Sequence, residues 1–271
     1  MSRPGAAAPA FEARDGTIYF ISDVHLGSPS GPPERESWLL DLLAEVPARG
    51  SALLMLGDLF DFWFEYRHAI PKGTFRIARA MADAVDAGVP VYFLGGNHDY
   101  WVADWLRREI GITVFDDPID ARLHGRLIHL AHGDGLGPGD TGYKILRVVL
   151  RHPLAIWGYR ALHPDLGIPF AHLASRLSRD SRDHQRAVLL PKIVRDIARP
   201  HLKGEVDGMV MGHIHEPAHF RGDDRDFLLI GDWLESFTHV RMEEGEFQLF
   251  RRRPDGTHER VDPEPFPAHP R

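Results

Sequence analysis

Five short apolar runs in this chain each end in aspartate, asparagine or histidine, in four cases together with glycine, and this pattern restricts the fold more than any other feature. The five run ends are ISDVH (21–25), LGD (56–58), LGGNHD (94–99), LAHGD (130–134) and MGHIH (211–215). Each preceding run has the length and residue types of a buried strand. Because the carboxyl ends of strands in an α/β sheet collect at one edge, we expect these polar residues to share one site.

The apolar runs alternate with segments that have helical spacing, such as ESWLLDLLAEV (36–46) and TFRIARAMADAVDAG (74–88). This alternation predicts an α/β fold. A late group of strands without intervening helices indicates that the sheets are mixed and partly antiparallel. Strands are expected at 17–22, 52–57, 91–96, 126–133, 208–212, 227–233, 237–242 and 246–252.

Residues 141–203 have no strand pattern, and we interpret them as a helical insertion, a lid, in one domain spanning 17–253. This segment contains twelve Lys and Arg against four Asp, whereas the whole chain has a net charge of −7. A basic segment in an acidic protein suggests an anionic partner surface, although an ordinary solvated helical face has the same composition. Residues 1–16 are expected to be a flexible leader, and 254–271 a Pro-rich tail with no core to join.

Composition excludes several classes of protein and of metal site. The chain has no cysteine, so disulfides and thiolate metal sites are excluded. No run of 18 apolar residues is long enough to span a membrane, and the N-terminal segment lacks the apolar core of a signal peptide. Any metal site must therefore use His, Asp, Glu or Asn.

Seven residues at the run ends are candidate metal ligands: Asp23, His25, Asp58, Asn97, His132, His213 and His215. Taken singly, each has an ordinary structural explanation as a turn, a helix cap or a buried histidine, and we interpret the similar GDW at 231–233 as a structural turn. Together they are too many for one ion that also binds substrate. They fit a pair of divalent cations, such as Mn²⁺, Fe²⁺, Zn²⁺ or Mg²⁺, whose natural chemistry is phosphoester hydrolysis.

The ordered motifs D-x-H, GD, GNHD, HGD and G-H-x-H resemble those of the calcineurin-like metallophosphoesterases. The resemblance implies a sandwich of mixed β-sheets flanked by helices. It also implies a first ion held by Asp23, His25, Asp58 and His215, and a second held by Asp58, Asn97, His132 and His213. His98 would act as a catalytic residue that stabilises charge on phosphate or protonates the leaving group. Asp99 would orient His98.

A narrower resemblance comes from LGDLFDFW, HGDGLGPGDTGYKILR, ASRLSRDS and GHIHEPAH, which are similar to the UDP-2,3-diacylglucosamine diphosphatase family of lipid A synthesis. It implies hydrolysis of UDP-2,3-diacylglucosamine to UMP and the acylated sugar 1-phosphate, typically with Mn²⁺. It also implies a helical lid and a cytoplasmic enzyme peripherally associated with the inner membrane. The best-known branch of that family commonly has Arg at the position of His98, so the GNHD motif is that of the broader superfamily.

This narrower resemblance implies further substrate contacts beside the metal ligands. The expected substrate-binding residues are Asn97, His98, Asp140, Tyr143, Ser181, Arg182 and His215. In the lid, Trp157, Ile168, Phe170 and Leu173 would line an acyl-chain chamber, and the arginines would face anionic headgroups. Ordinary packing between helices is the alternative for each of these apolar residues.

Two other functions remain open at this point. One is a phosphodiesterase or phosphatase that acts on a soluble nucleotide or another phosphoester, which would have no need for an apolar, basic lid. The other is a non-catalytic interaction module, which would be expected to lack some of the seven ligands. The acidic overall charge argues against a nucleic-acid partner, and no protein partner is indicated.

Overall fold

Two seven-stranded sheets face each other in the part of the chain that this computed structural model describes, residues 8–136, 147–171 and 186–267. The strands are β1 (Glu12–Ala13), β2 (Thr17–Ile21), β3 (Gly50–Leu56), β4 (Val91–Leu94), β5 (Thr113–Phe115), β6 (Ile119–Leu123), β7 (Arg126–Ala131), β8 (Gly208–Met211), β9 (Ala218–Gly222), β10 (Arg225–Leu229), β11 (Thr238–Glu243), β12 (Glu246–Arg252), β13 (His258–Val261) and β14 (Glu264–Pro265). All eight expected strands are therefore present.

Both sheets are mixed, as the sequence predicted. The first has the order β13-β12-β11-β2-β3-β4-β5, and the second β1-β6-β7-β8-β10-β9-β14. In the first sheet β2, β3, β4 and β5 are parallel neighbours. In the second, β7, β8 and β10 are parallel neighbours. Each of the five motifs therefore follows a strand in a parallel part of its sheet.

The alternation of side chains along each strand separates three layers of core. In β2, Ile18 and Phe20 point into the space between the sheets, whereas Tyr19 and Ile21 point to the helical side, as the two-residue period of a strand requires. The outer side of the first sheet is covered by helices Arg35–Leu43, Val46–Arg49 and Phe75–Asp86 and by a π-helical turn, Leu106–Ile110.

The outer side of the second sheet is covered by Arg186–Ile193, the π-helical turn Val194–Ala198 and Arg199–Leu202. Val194, Ile197 and Leu202 pack in one core with Met209 and Phe227 of that sheet. The last ten residues of the predicted insertion, 194–203, therefore include apolar side chains that pack on the second sheet. The strands that they contact, β8 and β10, follow the insertion in the sequence.

The first half of the insertion is helical at 147–151, Pro153–Arg160 and 164–171. It is attached to the body by a hydrogen bond from Trp101 Nε1 to the carbonyl oxygen of Leu150, 3.0 Å, and by stacking of Tyr159 on Trp101. Tyr159 also contacts Phe64. No helix within the described ranges is long and apolar enough to cross a bilayer.

Described segments near both chain ends join the sheets, so residues 12–13 are not part of a flexible leader and residues 258–265 are not a tail without a core. Near the N-terminus, β1 pairs with β6, and Phe11 stacks on Tyr92. Near the C-terminus, β13 pairs with β12, β14 pairs with β9, and Phe266 stacks on Phe220. The main-chain hydrogen bonds of a sheet edge stabilise these short strands without a long apolar run.

Away from the motif residues, a buried carboxylate connects several strands of the second sheet. Asp226 is 2% exposed, and its two oxygens contact His219 Nε2, Arg221 Nε and Arg126 Nη2, each at 2.7 Å. Burial opposes ionisation of Asp226, but hydrogen bonds from His219 and the two guanidinium groups outweigh it and lower its pKa below the usual range. The negative charge of Asp226 therefore stabilises the folded state.

Replacing Asp226 with asparagine is expected to lower the free energy of unfolding by roughly 3 kcal/mol at neutral pH, because it removes the buried anion that pairs with the partly buried guanidinium groups of Arg126 and Arg221. The folded pKa of Asp226 lies below the unfolded value of about 3.9. Its contribution is thus fully present above about pH 4 and is lost as the pH falls towards the folded pKa. Urea unfolding of wild type and Asp226→Asn between pH 7 and pH 2 measures this, and a difference that does not shrink in acid would contradict the assignment.

Candidate metal centre

The ends of β2 and β3 bring the first acidic motif residues together through main-chain contacts. Asp23 N donates to the carbonyl oxygen of Gly57 at 3.1 Å, and His25 N donates to that of Asp58 at 2.9 Å. Asp23, His25 and Asp58 all have positive φ, between 50° and 54°, which is rare for residues other than glycine. Such conformations concentrate at functional sites, where the surrounding structure holds them.

The GNHD segment after β4 packs directly on Asp58. The main-chain N–H of His98 donates to Asp58 Oδ1 at 2.9 Å. A Cβ atom on Gly96 would lie 2.6 Å from Asp58 N, so only glycine allows this approach. His98 Nδ1 lies 2.9 Å from the carbonyl oxygen of Asp61 and therefore donates to it. His98 Nε2 then lies on the side of the cluster, 3.9 Å from Asp58 Oδ2.

The second sheet contributes three histidines from the ends of β7 and β8. His132 Nδ1 donates to the carbonyl oxygen of Leu56 at 2.8 Å, which leaves Nε2 3.4 Å from Asp58 Oδ2 and 3.3 Å from Asn97 Oδ1. His213 has a φ of 65°, and its N–H donates to Asp23 Oδ2 at 2.8 Å. The two sheets therefore place their motif residues around one position.

The predicted ligands form overlapping groups whose donor atoms all lie within 4.8 Å of one another. The groups are Asp23, His25 and His215; Asp58, His132 and His213; and His25, Asp58 and His98. Asp58 Oδ2 also lies 3.8 Å from His25 Nε2, so it connects the first two groups. All seven candidate ligands are thus brought together, with Asp58 between two sets of donors. A ring nitrogen of His98 lies within the same 4.8 Å of donor atoms of His25 and Asp58.

The donor chemistry of these groups fits divalent cations. Each donor is a carboxylate or amide oxygen or an imidazole nitrogen, which Mn²⁺, Fe²⁺, Zn²⁺ and Mg²⁺ accept in different proportions. The buried Asp23 Oδ1 has no hydrogen-bond partner in the described part of the chain. It faces His215 Nε2 at 3.4 Å and His25 Nε2 at 3.9 Å. A cation between these atoms would satisfy the buried carboxylate oxygen.

The buried carboxylates of the site favour positively charged groups beside them. Burial opposes a charge on His132, but Asp58 outweighs it and holds the pKa of His132 well above its usual value. Asp23 and Asp232 likewise overcome burial and raise the pKa of His215 to about 10. For His25, burial lowers the pKa well below its usual value. His132 and His215 therefore favour their protonated forms beside the buried carboxylates and compensate the negative charge. A divalent cation would compensate the same charge when bound.

Asp99 has a different role from the one predicted. It is fully buried, and it accepts hydrogen bonds from the main-chain N–H groups of Asp58 (3.1 Å), Gly96 (2.9 Å) and Phe60 (3.2 Å). Burial, and then the charge of Asp58, raise the pKa of Asp99 to about 7. The prediction that Asp99 orients the His98 ring is wrong, because Asp99 connects two loops and the carbonyl of Asp61 orients that ring.

Two buried aspartates that lie beside candidate ligands were missed. Asp61 is 1% exposed, and one of its carboxylate oxygens lies 3.9 Å from His25 Nδ1. Asp232 of the GDW segment, interpreted from sequence as a plain turn, lies 3.2 Å from His215 Nδ1. The D-x-x-D spacing from Asp58 to Asp61 was a usable signal, whereas nothing in the sequence links Asp232 to His215.

The remaining predicted substrate contacts fall in parts of the chain that are not described. Asp140, Tyr143, Ser181 and Arg182 lie outside the described residues, as does Leu173. They stay predictions.

A family model and several known proteins match most of this chain. The family model described as calcineurin-like phosphoesterase matches residues 16–217. A UDP-2,3-diacylglucosamine hydrolase from Porphyromonas gingivalis is 32% identical over 238 residues, covering 80% of this chain and 90% of that protein. One from Stenotrophomonas maltophilia is 33% identical over 248 residues, covering 86% and 97%. A solved phosphoesterase from E. coli is 17% identical with a TM-score of 0.44, covering 90% of this chain and 98% of that one.

The contact between Gly96 and Asp58 gives a test of the site. Gly96→Ala should displace Asp58 and weaken Mn²⁺ binding by about tenfold or more, a loss typical of disturbed ligand support. Gly95→Ala is the matched control, since the nearest atom to its added Cβ would lie 3.6 Å away, and its affinity should equal that of wild type. Calorimetric titration of the metal-free proteins measures both. Equal affinity in the two variants would show that Asp58 does not hold the ion.

Proposed function

The chain belongs to the calcineurin-like phosphoesterase family, and we propose that it hydrolyses UDP-2,3-diacylglucosamine to UMP and 2,3-diacylglucosamine 1-phosphate. The observation that carries the proposal is the juxtaposition of the seven-residue donor cluster with an exposed apolar helical segment. Relatives at 32–33% identity over most of the chain are named UDP-2,3-diacylglucosamine hydrolases, which supports this substrate. The reaction adds water across a P–O–P bond.

Two divalent cations, most simply Mn²⁺, are the proposed cofactors. Asp23, His25, Asp58 and His215 would hold one ion, and Asp58, Asn97, His132 and His213 would hold the other. When bound, such a pair lowers the pKa of a water molecule and stabilises negative charge on phosphoryl oxygens. Asn97 and His215, which border the cluster, are proposed to contact substrate as well.

His98 is the proposed catalytic residue. Its Nδ1 is engaged by the carbonyl oxygen of Asp61 at 2.9 Å, so in the protonated ring the remaining N–H, on Nε2, points to the side of the cluster. There it can donate to a phosphoryl oxygen that gains charge, or to the leaving oxygen. Asp99 supports this indirectly, by fixing the loops that carry Asp58 and His98.

The helical segment 147–171 is proposed as the acyl-chain binding part of a lid. Its exposed large apolar side chains include Leu154 (71%) and Trp157 (71%). With one exception, Phe75, all exposed large apolar residues of the described chain lie in this segment: Val148, Val149, Leu150, Leu154, Trp157, Leu162, Leu166 and Phe170. Such a concentration in one segment is typical of a lipid-binding or interaction site.

The segment lies close to the metal centre. Arg147 Nη1 contacts Asp134 of the HGD motif, 3.1 Å to its carbonyl oxygen, and the Arg151 guanidinium lies over the Tyr100 ring at 3.5 Å. Both arginines also approach Asp117. They are therefore directed to the protein body and not to headgroups, so the proposed peripheral association with the inner-membrane surface rests on the apolar residues.

Purified protein with Mn²⁺ is expected to convert UDP-2,3-diacylglucosamine to equal amounts of UMP and lipid sugar phosphate, measured by mass spectrometry. Removal of the metal by chelation should abolish turnover, and added Mn²⁺ should restore it. Turnover of cyclic nucleotides or aryl phosphodiesters, with none of the lipid substrate, would show that the substrate is soluble. No turnover of any phosphoester by metal-loaded protein would favour a non-catalytic module.

The His98→Ala variant is the internal control for chemistry. It should lower kcat by about 10²-fold or more, the usual contribution of a positioned acid, and keep the metal content of wild type. Loss of metal from this variant would instead assign His98 to the coordination of the first ion.

Membrane association is expected to depend on the exposed apolar residues. The double variant Leu154→Ala/Trp157→Ala should bind anionic phospholipid vesicles at least about tenfold more weakly than wild type, because it removes apolar area that enters the interface. Phe75→Ala is the matched control, since Phe75 is 75% exposed but lies outside the segment. Vesicle sedimentation measures both, and equal loss in the two variants would contradict the proposal.

A further inference from the structure

The turn 231–236 after β10 holds no candidate ligand, yet it contacts two of the loops that carry candidate ligands. We propose that Asp232 of this turn is a positioning residue that orients the His215 imidazole towards the first cation. The inference rests on the proposed metal centre and adds to it the group that fixes one of its ligands.

Asp232 is itself held in one orientation. It is 1% exposed, and its Oδ1 accepts hydrogen bonds from the main-chain N–H groups of Ser236 at 2.8 Å and Glu235 at 3.1 Å. With one carboxylate oxygen fixed in this way, the other is fixed as well. Oδ2 lies 3.2 Å from His215 Nδ1. Neither of these two atoms has another hydrogen-bond partner in the described chain.

The same turn is tied to both ligand loops. Trp233 N donates to the carbonyl oxygen of Asp23 at 3.1 Å, and Ser236 Oγ donates to that of His215 at 3.3 Å. Gly231, with a φ of 83°, packs so closely that a Cβ would lie 2.9 Å from Pro217. These contacts hold the backbone of Asp232 close to the backbone of His215.

The consequence for His215 concerns which nitrogen carries the proton. A carboxylate facing Nδ1 favours a proton on Nδ1, so Nε2 is left to act as the ligand. Nε2 lies 3.4 Å from Asp23 Oδ1 and 3.3 Å from His25 Nε2, within the first donor group. Asp232 therefore selects the nitrogen that faces the donors, and it fixes the plane of the ring.

The test compares two substitutions of Asp232. In Asp232→Asn the side-chain oxygen can still accept from Glu235 and Ser236, but the amide N–H₂ then faces the Nδ1–H of His215. Mn²⁺ titration followed by electron paramagnetic resonance should show one of two sites weakened by about 10- to 100-fold, while the metal-free protein keeps a cooperative thermal transition at a lower midpoint than wild type. Asp232→Ala should weaken the same site and lower the midpoint further, because it also loses the hydrogen bonds from Glu235 and Ser236.

Asp226→Asn is the matched control, because Asp226 is an equally buried aspartate 2.7 Å from a histidine, His219, at the other end of the same strand. It should lower stability and leave both Mn²⁺ affinities unchanged. A double-mutant cycle provides the second measurement: in a His215→Ala background, Asp232→Asn should cause no further loss of affinity.

Three results would overturn the inference. These are wild-type Mn²⁺ affinity at both sites in Asp232→Asn, an equal loss in Asp226→Asn, or a full additional loss in the His215→Ala background. Each of them leaves the proposed dimetal function intact. By contrast, wild-type protein that binds no Mn²⁺ would refute the dimetal function itself, and this inference with it.

Discussion

The burial of several carboxylates at one edge of the sandwich is the constraint on which the rest of the structure depends. Asp23, Asp58, Asp99 and Asp232 are each at most 2% exposed. Like charges so placed repel one another strongly and are costly to remove from water. The fold offsets this cost with directed main-chain N–H groups and with imidazoles brought in from both sheets. A set of buried anions surrounded by nitrogen donors is also what a divalent cation requires.

This constraint explains the unusual backbone at the ends of the strands. The main chain must turn sharply there, because both a donor side chain and a main-chain N–H have to point towards the carboxylate cluster. Asp23, His25, Asp58 and His213 adopt positive φ for this reason, and Gly96 leaves room for the Asp58 carboxylate. Strain of this kind persists only where rigid strands hold it in place. Two parallel strand groups, one in each sheet, provide that support.

The surface around the cluster divides into two chemically different parts. The donors lie at the edges of the sheets, where a phosphate group can be bound. Beside them, segment 147–171 leaves Leu154 and Trp157 exposed, while Arg147 and Arg151 face the body. A substrate with a charged pyrophosphate and apolar chains matches both parts. The aromatic contacts of Tyr159 with Phe64 and Trp101 keep them adjacent.

Local sequence determined the strands, the α/β class and the seven candidate ligands, because strand periodicity and the residues at a strand's end are local properties. Tertiary structure alone decided the partners that support those ligands. Asp232 reaches His215 only because β10 lies beside β8, and the role of Asp99 depends on main-chain N–H groups from a different loop. It also decided the terminal strands and the packing of residues 194–202 on the second sheet. Hydrogen bonds at a sheet edge, and burial against distant strands, leave no periodic signal in the segments that they stabilise.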